Sequence, residues 1–155
     1  QGGTVIAIAD SAANLAAYLK LPIQNHLAEN GTPLPRTKFY SPGSLHAAQV
    51  DTTHPVAQGM NAESIVFYDN SPVFKLSADA TNINVFARFA KAPLRSGWAW
   101  GQELMEGGVG ALETKVGQGK VLLFGPEILK RAQPHGTFKF LFNGIYYSTA
   151  TPARW

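Results

Sequence analysis

The sequence predicts an α/β domain built on a mostly parallel sheet, and three observations carry that expectation. Residues 4–9, Thr-Val-Ile-Ala-Ile-Ala, form a short unbroken apolar run of the kind that fills a strand covered on both faces. Residues 109–116 and 120–124 read as two strands around Gly117-Gln118-Gly119, a β-hairpin. Residues 137–147 place Phe138, Leu141, Phe142 and Ile145 at i, i+3, i+4 and i+7, which marks a helix laid on a sheet. A chain of 155 residues has the size of one domain, here residues 1–150 followed by a short tail at 151–155.

In order along the chain, Gln1-Gly2-Gly3 runs straight into the first apolar strand, as a helix C-cap leads into a buried parallel strand. The expectation is a fragment or processed product that lacks its first β-α units, with residues 4–8 as an interior strand. Asp10-Ser11 then offers N-cap side chains to a helix over residues 12–20, with Leu15, Tyr18 and Leu19 on one face and Pro22 as its stop. Residues 22–42 shift to Pro, Asn, Gly and Lys and predict a long surface loop turning at Asn30-Gly31. Strands follow at 44–50, 64–68 and 84–89, each bounded by Pro, Gly, Asn or Asp. Residues 96–106 have helical character despite two glycines, and the hairpin and terminal helix complete the order.

Composition excludes several classes. Thirteen Lys and Arg against ten Asp and Glu leave +3, with the cations scattered singly, so no nucleic-acid partner is expected. No apolar run approaches the ~20 residues that span a bilayer, so no membrane segment is expected either. The absence of cysteine removes disulfides, a thiolate nucleophile and Cys-ligated zinc, and leaves the redox compartment open. His26-Leu27-Ala28-Glu29 has a zinc-peptidase spacing, but its Pro/Asn/Gly-rich loop would hold ligands too loosely for tetrahedral zinc. No metal or cofactor is expected in this chain.

Other local signals are structural first. His54-Pro55 reads as a turn between strands. Arg95-Ser96-Gly97-Trp98-Ala99-Trp100-Gly101 is the most unusual stretch, where the tryptophans and Arg95 could form a stacking surface for a sugar or peptide, although packing of a helix on the core is the favoured explanation. His135, just before the terminal helix, is a candidate general base or ligand-binding side chain.

The order of strand, helix and loop, followed by THPVAQGM, the Gly-flanked hairpin, VLLFGPE and HGTFKFLFN, resembles a class I glutamine amidotransferase-like domain, over residues 2–147. It resembles in particular the version found C-terminal to bacterial secreted zinc carboxypeptidase domains. The resemblance implies a flavodoxin-like three-layer sandwich. In active members a Cys occupies a tight strand-to-helix elbow, a place matched here by Ala9, or by Asp10 if the register shifts by one; neither can attack as a thiolate does. The family's His-Pro-Glu is matched by Gly125-Pro126-Glu127, so Glu127 stands without its imidazole.

The resemblance thus implies a catalytically degenerate accessory or binding domain, periplasmic or secreted. Its expected partner is an upstream peptidase domain or another polypeptide completing the sheet, a second copy of the chain included. Two alternatives stay open. One is a hydrolase with a rearranged site that uses Asp10 or Ser11 with His135 and Glu127. The other is a glycan or small-ligand binding module around Trp98, Arg95 and His135.

Overall fold

A computed structural model describes residues 2–148 and 150, and the tail at 151–155 lies outside the described residues. β1 (Thr4–Ile8) leads into α1 (Asp10–Tyr18), and β2 (Ile23–Asn25), β3 (Ala28–Glu29) and β4 (Thr32–Pro33) follow. β5 (Ser44–Val50) and β6 (Glu63–Tyr68) are joined through a 3-10 turn at Pro55–Ala57. β7 (Phe74–Leu76), the long β8 (Ile83–Ser96), β9 (Val109–Val116) and β10 (Gly119–Phe124) precede α2 (Phe138–Tyr147).

The main sheet runs β1-β10-β9-β8-β5-β6, with β7 and then β2 attached beside β9. Among the described strands only β1 against β10 is parallel, so the expected mostly parallel sheet is corrected to a mixed one. Parallel neighbours need a crossover of a dozen or more residues, usually helical. Between α1 and α2 the chain forms no α-helix, and β5 to β10 follow one another through turns. β1 is likewise not interior among the described strands: it pairs there with β10 alone and leaves Val5 50% exposed. Its apolar run has another cause, since Ala7 packs on one face of the sheet and Ile6 and Ile8 on the other.

Three layers result. α1 sets Ala12 and Ala16 against Ala7, Val121 and Leu123 on one face. On the other, Phe140 of α2 and Val56 of the 3-10 turn close over Phe86, Leu122 and Phe124. A third cluster, with Val66, Tyr68, Phe89 and Met105, is covered by Leu27 and Phe39 of the 22–42 segment. This α/β arrangement of a mixed sheet with few helices is compatible with a flavodoxin-like sandwich.

Local expectations differ at four places. α1 begins at Asp10 rather than residue 12, no side chain caps it, and Tyr18 is 82% exposed while the small Ala12 and Ala16 face the sheet. The 22–42 loop contains a β3–β4 hairpin whose turn has Asn30 and Gly31 at φ 50° and 80°, the conformation an Asn-Gly turn favours. Residues 96–106 are not a helix. β8 runs to Ser96, and Gly97 and Gly101 take left-handed turns before a 3-10 turn at Gln102–Met105. α2 buries Phe140 and Gly144 instead of the Phe142 and Ile145 face, because Gly144 lets the helix sit close to the sheet: a Cβ there would lie 3.1 Å from Ile6 and Leu122 side-chain atoms.

Candidate functional site

The strand-to-helix elbow forms at Ala9. This residue has φ 53° and ψ −132°, a conformation that a residue with a Cβ rarely adopts, and it turns β1 directly into α1. Its N–H donates to the Phe124 carbonyl at 2.8 Å and its carbonyl accepts from Ala12 N–H at 2.9 Å, which ties both sides of the turn. The β1–β10 register sets Ile8 opposite Phe124, so Ala9 and Gly125 continue from neighbouring strand ends. These are the two places where the resemblance puts the nucleophile and the base. One carries a methyl group and the other no side chain at all.

The position of Gly125 is closed. Its N–H donates to Gly110 O at 2.8 Å, and a Cβ built on it would stand 2.1 Å from the Pro72 carbonyl oxygen. That contact is with backbone, which cannot swing aside as a side-chain tip does. Glu127 is half-buried; its N–H donates to Phe67 O at 3.0 Å, and its carboxylate makes no hydrogen bond or ion pair with any described residue.

The remaining candidates are not drawn to one centre. Asp10 and Ser11 are exposed on the first turn of α1, and Asp10 edges a cavity between α1 and the 22–42 segment. His135 is exposed in a different groove, with Glu63, Ile65, Phe67 and Lys139, where its ring rests 5.1 Å from that of Phe138. No hydrogen bond among the described residues links Asp10 or Ser11 to His135 or Glu127.

Trp98 is 55% exposed, as is Trp100. Ser44 Oγ accepts the Trp98 N–H at 3.0 Å and fixes the backbone there, while Trp100 Nε1 donates to Thr37 O at 2.8 Å. Tyr40 stands between them. It bridges to the Trp100 backbone, and its ring meets that of Trp98 edge-on at 6.2 Å with the Arg36 guanidinium 5.0 Å away on the ring face. Arg95 turns elsewhere, pairing with Glu63 at 3.2 Å and donating to Ala92 O at 2.8 Å. Sequence reading missed Arg36 and Tyr40, which lie about 60 residues before the tryptophans and carry no motif of their own.

Two histidine pairs are buried. His54 accepts the Val56 N–H on Nδ1 at 3.2 Å, so Nε2 carries the proton and donates to Glu113 Oε2 at 2.9 Å. His54 also stacks on Phe86 at 4.3 Å, while Tyr147 O–H reaches Glu113 at 3.4 Å. The pair holds the 54–57 turn against β9, in keeping with the structural role read from His54-Pro55. The second pair, Ser41 Oγ and His46 Nε2 at 2.8 Å, has the contact of a nucleophile and its base. Both residues are 0% exposed, and His46 Nδ1 has no orienting partner, so no substrate reaches it as it stands.

Glu29 of the His26 motif is paired with Lys38 at 2.7 Å, and among the described residues no group of three His, Cys, Asp or Glu side chains could hold a metal ion.

No family model and no curated protein matches the chain. Solved structures do match it. One from Thermoplasma acidophilum, provisionally described as a GMP synthase component, superposes with a TM-score of 0.55 at 11% identity, covering 93% of this chain and 58% of that one. A cytoplasmic protein from Salmonella typhimurium gives a TM-score of 0.53 at 14% identity, over 95% of this chain and 55% of that one. This chain spans little more than half the length of either. At such identities the likeness is one of fold, and the fold is class I glutamine amidotransferase-like.

Proposed function

We propose that this chain is a catalytically degenerate domain of the glutamine amidotransferase-like fold that acts by binding, as an accessory unit within a larger protein. The observation that carries the reading is Gly125. A triad needs an imidazole within hydrogen-bond reach of the nucleophile. At the base position a first side-chain carbon would lie 2.1 Å from Pro72 O, and the nucleophile position holds Ala9. In this reading neither the attacking atom nor its proton acceptor has a place at the elbow. The rearranged hydrolase is less well supported, because Asp10 and His135 line separate cavities. The test is ammonia release from glutamine by the wild type and by Ala9→Cys. Neither should exceed the uncatalysed rate, and turnover by either removes the reading.

The neighbour implied by the resemblance is a zinc carboxypeptidase domain, with the chain outside the cytoplasm. The reading frame that encodes the chain tests this: a peptidase domain upstream supports the association and its absence removes it.

One observation favours a specific binding mode. Trp98 is exposed, and it shares a surface with Tyr40 and Trp100, as a glycan- or peptide-stacking platform would require. Trp98→Ala should then abolish retention on a glycan array while leaving the thermal midpoint unchanged, whereas retained binding would end this mode.

A further inference from the structure

The cavity between α1 and the 22–42 segment measures about 540 Å³, within the range of small-molecule sites, roughly 300–1,000 Å³. It is not the elbow site. Ala9, Ser11, Gly125, Glu127 and His135 do not line it, and Asp10 alone is shared. The loop that looked like surface filler in the sequence forms its outer wall, since Leu27, Leu34 and Phe39 fold inward there.

Tyr68 lines this cavity from β6 and is 1% exposed. Its ring is fixed by edge contacts with Phe39, His46 and Phe89 at 6.1, 5.4 and 5.8 Å. The hydroxyl makes no hydrogen bond with any described residue. Burial raises its pKa further above the ordinary tyrosine value, so it stays protonated and available as a donor. Among the described residues the sealed side-chain polar atom without a partner is His46 Nδ1; the Tyr68 hydroxyl is not sealed but opens onto the cavity, where it is a place for a ligand's oxygen.

The walls are mostly apolar, from Ala13, Ala16, Leu21 and Val73 among others. The charged residues that line the cavity are Lys20, Arg36 and Asp10, two cations against one anion. Neither Lys20 nor Arg36 has a carboxylate partner among the described residues. Arg36 is instead held over the Tyr40 ring, which leaves its donors for an anion.

From these features we infer that the cavity binds a small organic carboxylate with a compact apolar body and a second oxygen. The carboxylate meets Arg36 and Lys20, the apolar body fills the space beneath α1, and the second oxygen accepts the Tyr68 O–H. This goes beyond the accessory reading, because the site stands whether or not the elbow is catalytic.

Isothermal titration with 4-hydroxyphenylacetate, phenylacetate and tyramine tests each part. 4-Hydroxyphenylacetate should bind tightest. Tyramine, which replaces the anion with a cation, should bind at least tenfold more weakly. Tyr68→Phe should weaken 4-hydroxyphenylacetate by roughly fivefold, the loss of one neutral hydrogen bond, and leave phenylacetate unchanged. Arg36→Gln should weaken both acids alike. Because the hydroxyl has no protein partner, Tyr68→Phe should melt no lower than the wild type, so a loss of binding is not a loss of fold. Absence of binding by both acids, equal affinity for tyramine, or an unchanged affinity of Tyr68→Phe for 4-hydroxyphenylacetate would each overturn the inference.

Discussion

His46 shows how one residue sets the acid limit of the fold. It is sealed within β5, facing Ser41, Tyr68 and Phe89, and burial pulls its pKa from the ordinary 6.5 to about 4. In that interval the unfolded chain binds a proton that the folded chain refuses. Stability from this source is therefore complete above the unfolded value and is lost as the pH falls toward the folded one. By pH 5 the loss is about 2 kcal/mol. Urea midpoints at pH 7 and pH 5 measure it, and His46→Gln should flatten the difference; an undiminished slope would assign the effect to another group.

Glu113 acts lower on the scale. The His54 hydrogen bond depresses its carboxyl, with the charge of Lys120 in support, so its contribution is present above the ordinary carboxylate pKa and is lost as the pH falls through the depressed value. The role of His54 in a turn was legible from His-Pro. Its partner was not, because Glu113 lies 59 residues away and only the sheet brings them together.

At the scale of elements, the elbow stores strain that no contact of this chain requires for chemistry. Ala9 sits in a region that costs about 1–3 kcal/mol for a residue with a Cβ. Glycine would relieve that strain and lose about 0.5–1 kcal/mol through its freer unfolded chain. Ala9→Gly should therefore stabilise the protein by about 1 kcal/mol in urea unfolding. A loss of stability instead would mean that the Ala9 methyl is held by packing that outweighs its backbone.

The β9–β10 hairpin was readable because a two-residue turn with glycine leaves few alternatives, and β5 has the bounds its flanking breakers suggested. Pairing direction was not readable from β1, since an edge strand with Ala7 on one face and Ile6 and Ile8 on the other has the same apolar pattern as an interior one. The α2 face was misjudged for a related reason. Periodicity selects large apolar residues, but the sheet receives Gly144, and close approach there turns Phe142 and Ile145 outward.

For the whole molecule, the strand ends that would unite a triad are present and adjacent, while the space for one of its members is filled by backbone. The resemblance matched Gly125 to the position of the family's His. It could not show that the carbonyl of Pro72, distant in the chain, lies against that position. The outer edge of β1 belongs to the same scale: among the described strands it pairs with β10 alone and leaves Val5 half exposed, an edge of the kind on which a strand can be added.

The most direct test of the closed site is the urea unfolding of Gly125→Ala beside Gly136→Ala, whose new methyl would meet nothing within 4 Å. The account predicts a loss of about 1–3 kcal/mol for Gly125→Ala, the usual range for forcing a carbon into filled space, and little change at Gly136. A Gly125→Ala variant as stable as the wild type would show that the Pro72 carbonyl yields and that a side chain can stand at the base position, contradicting the claim that the triad has no room to form.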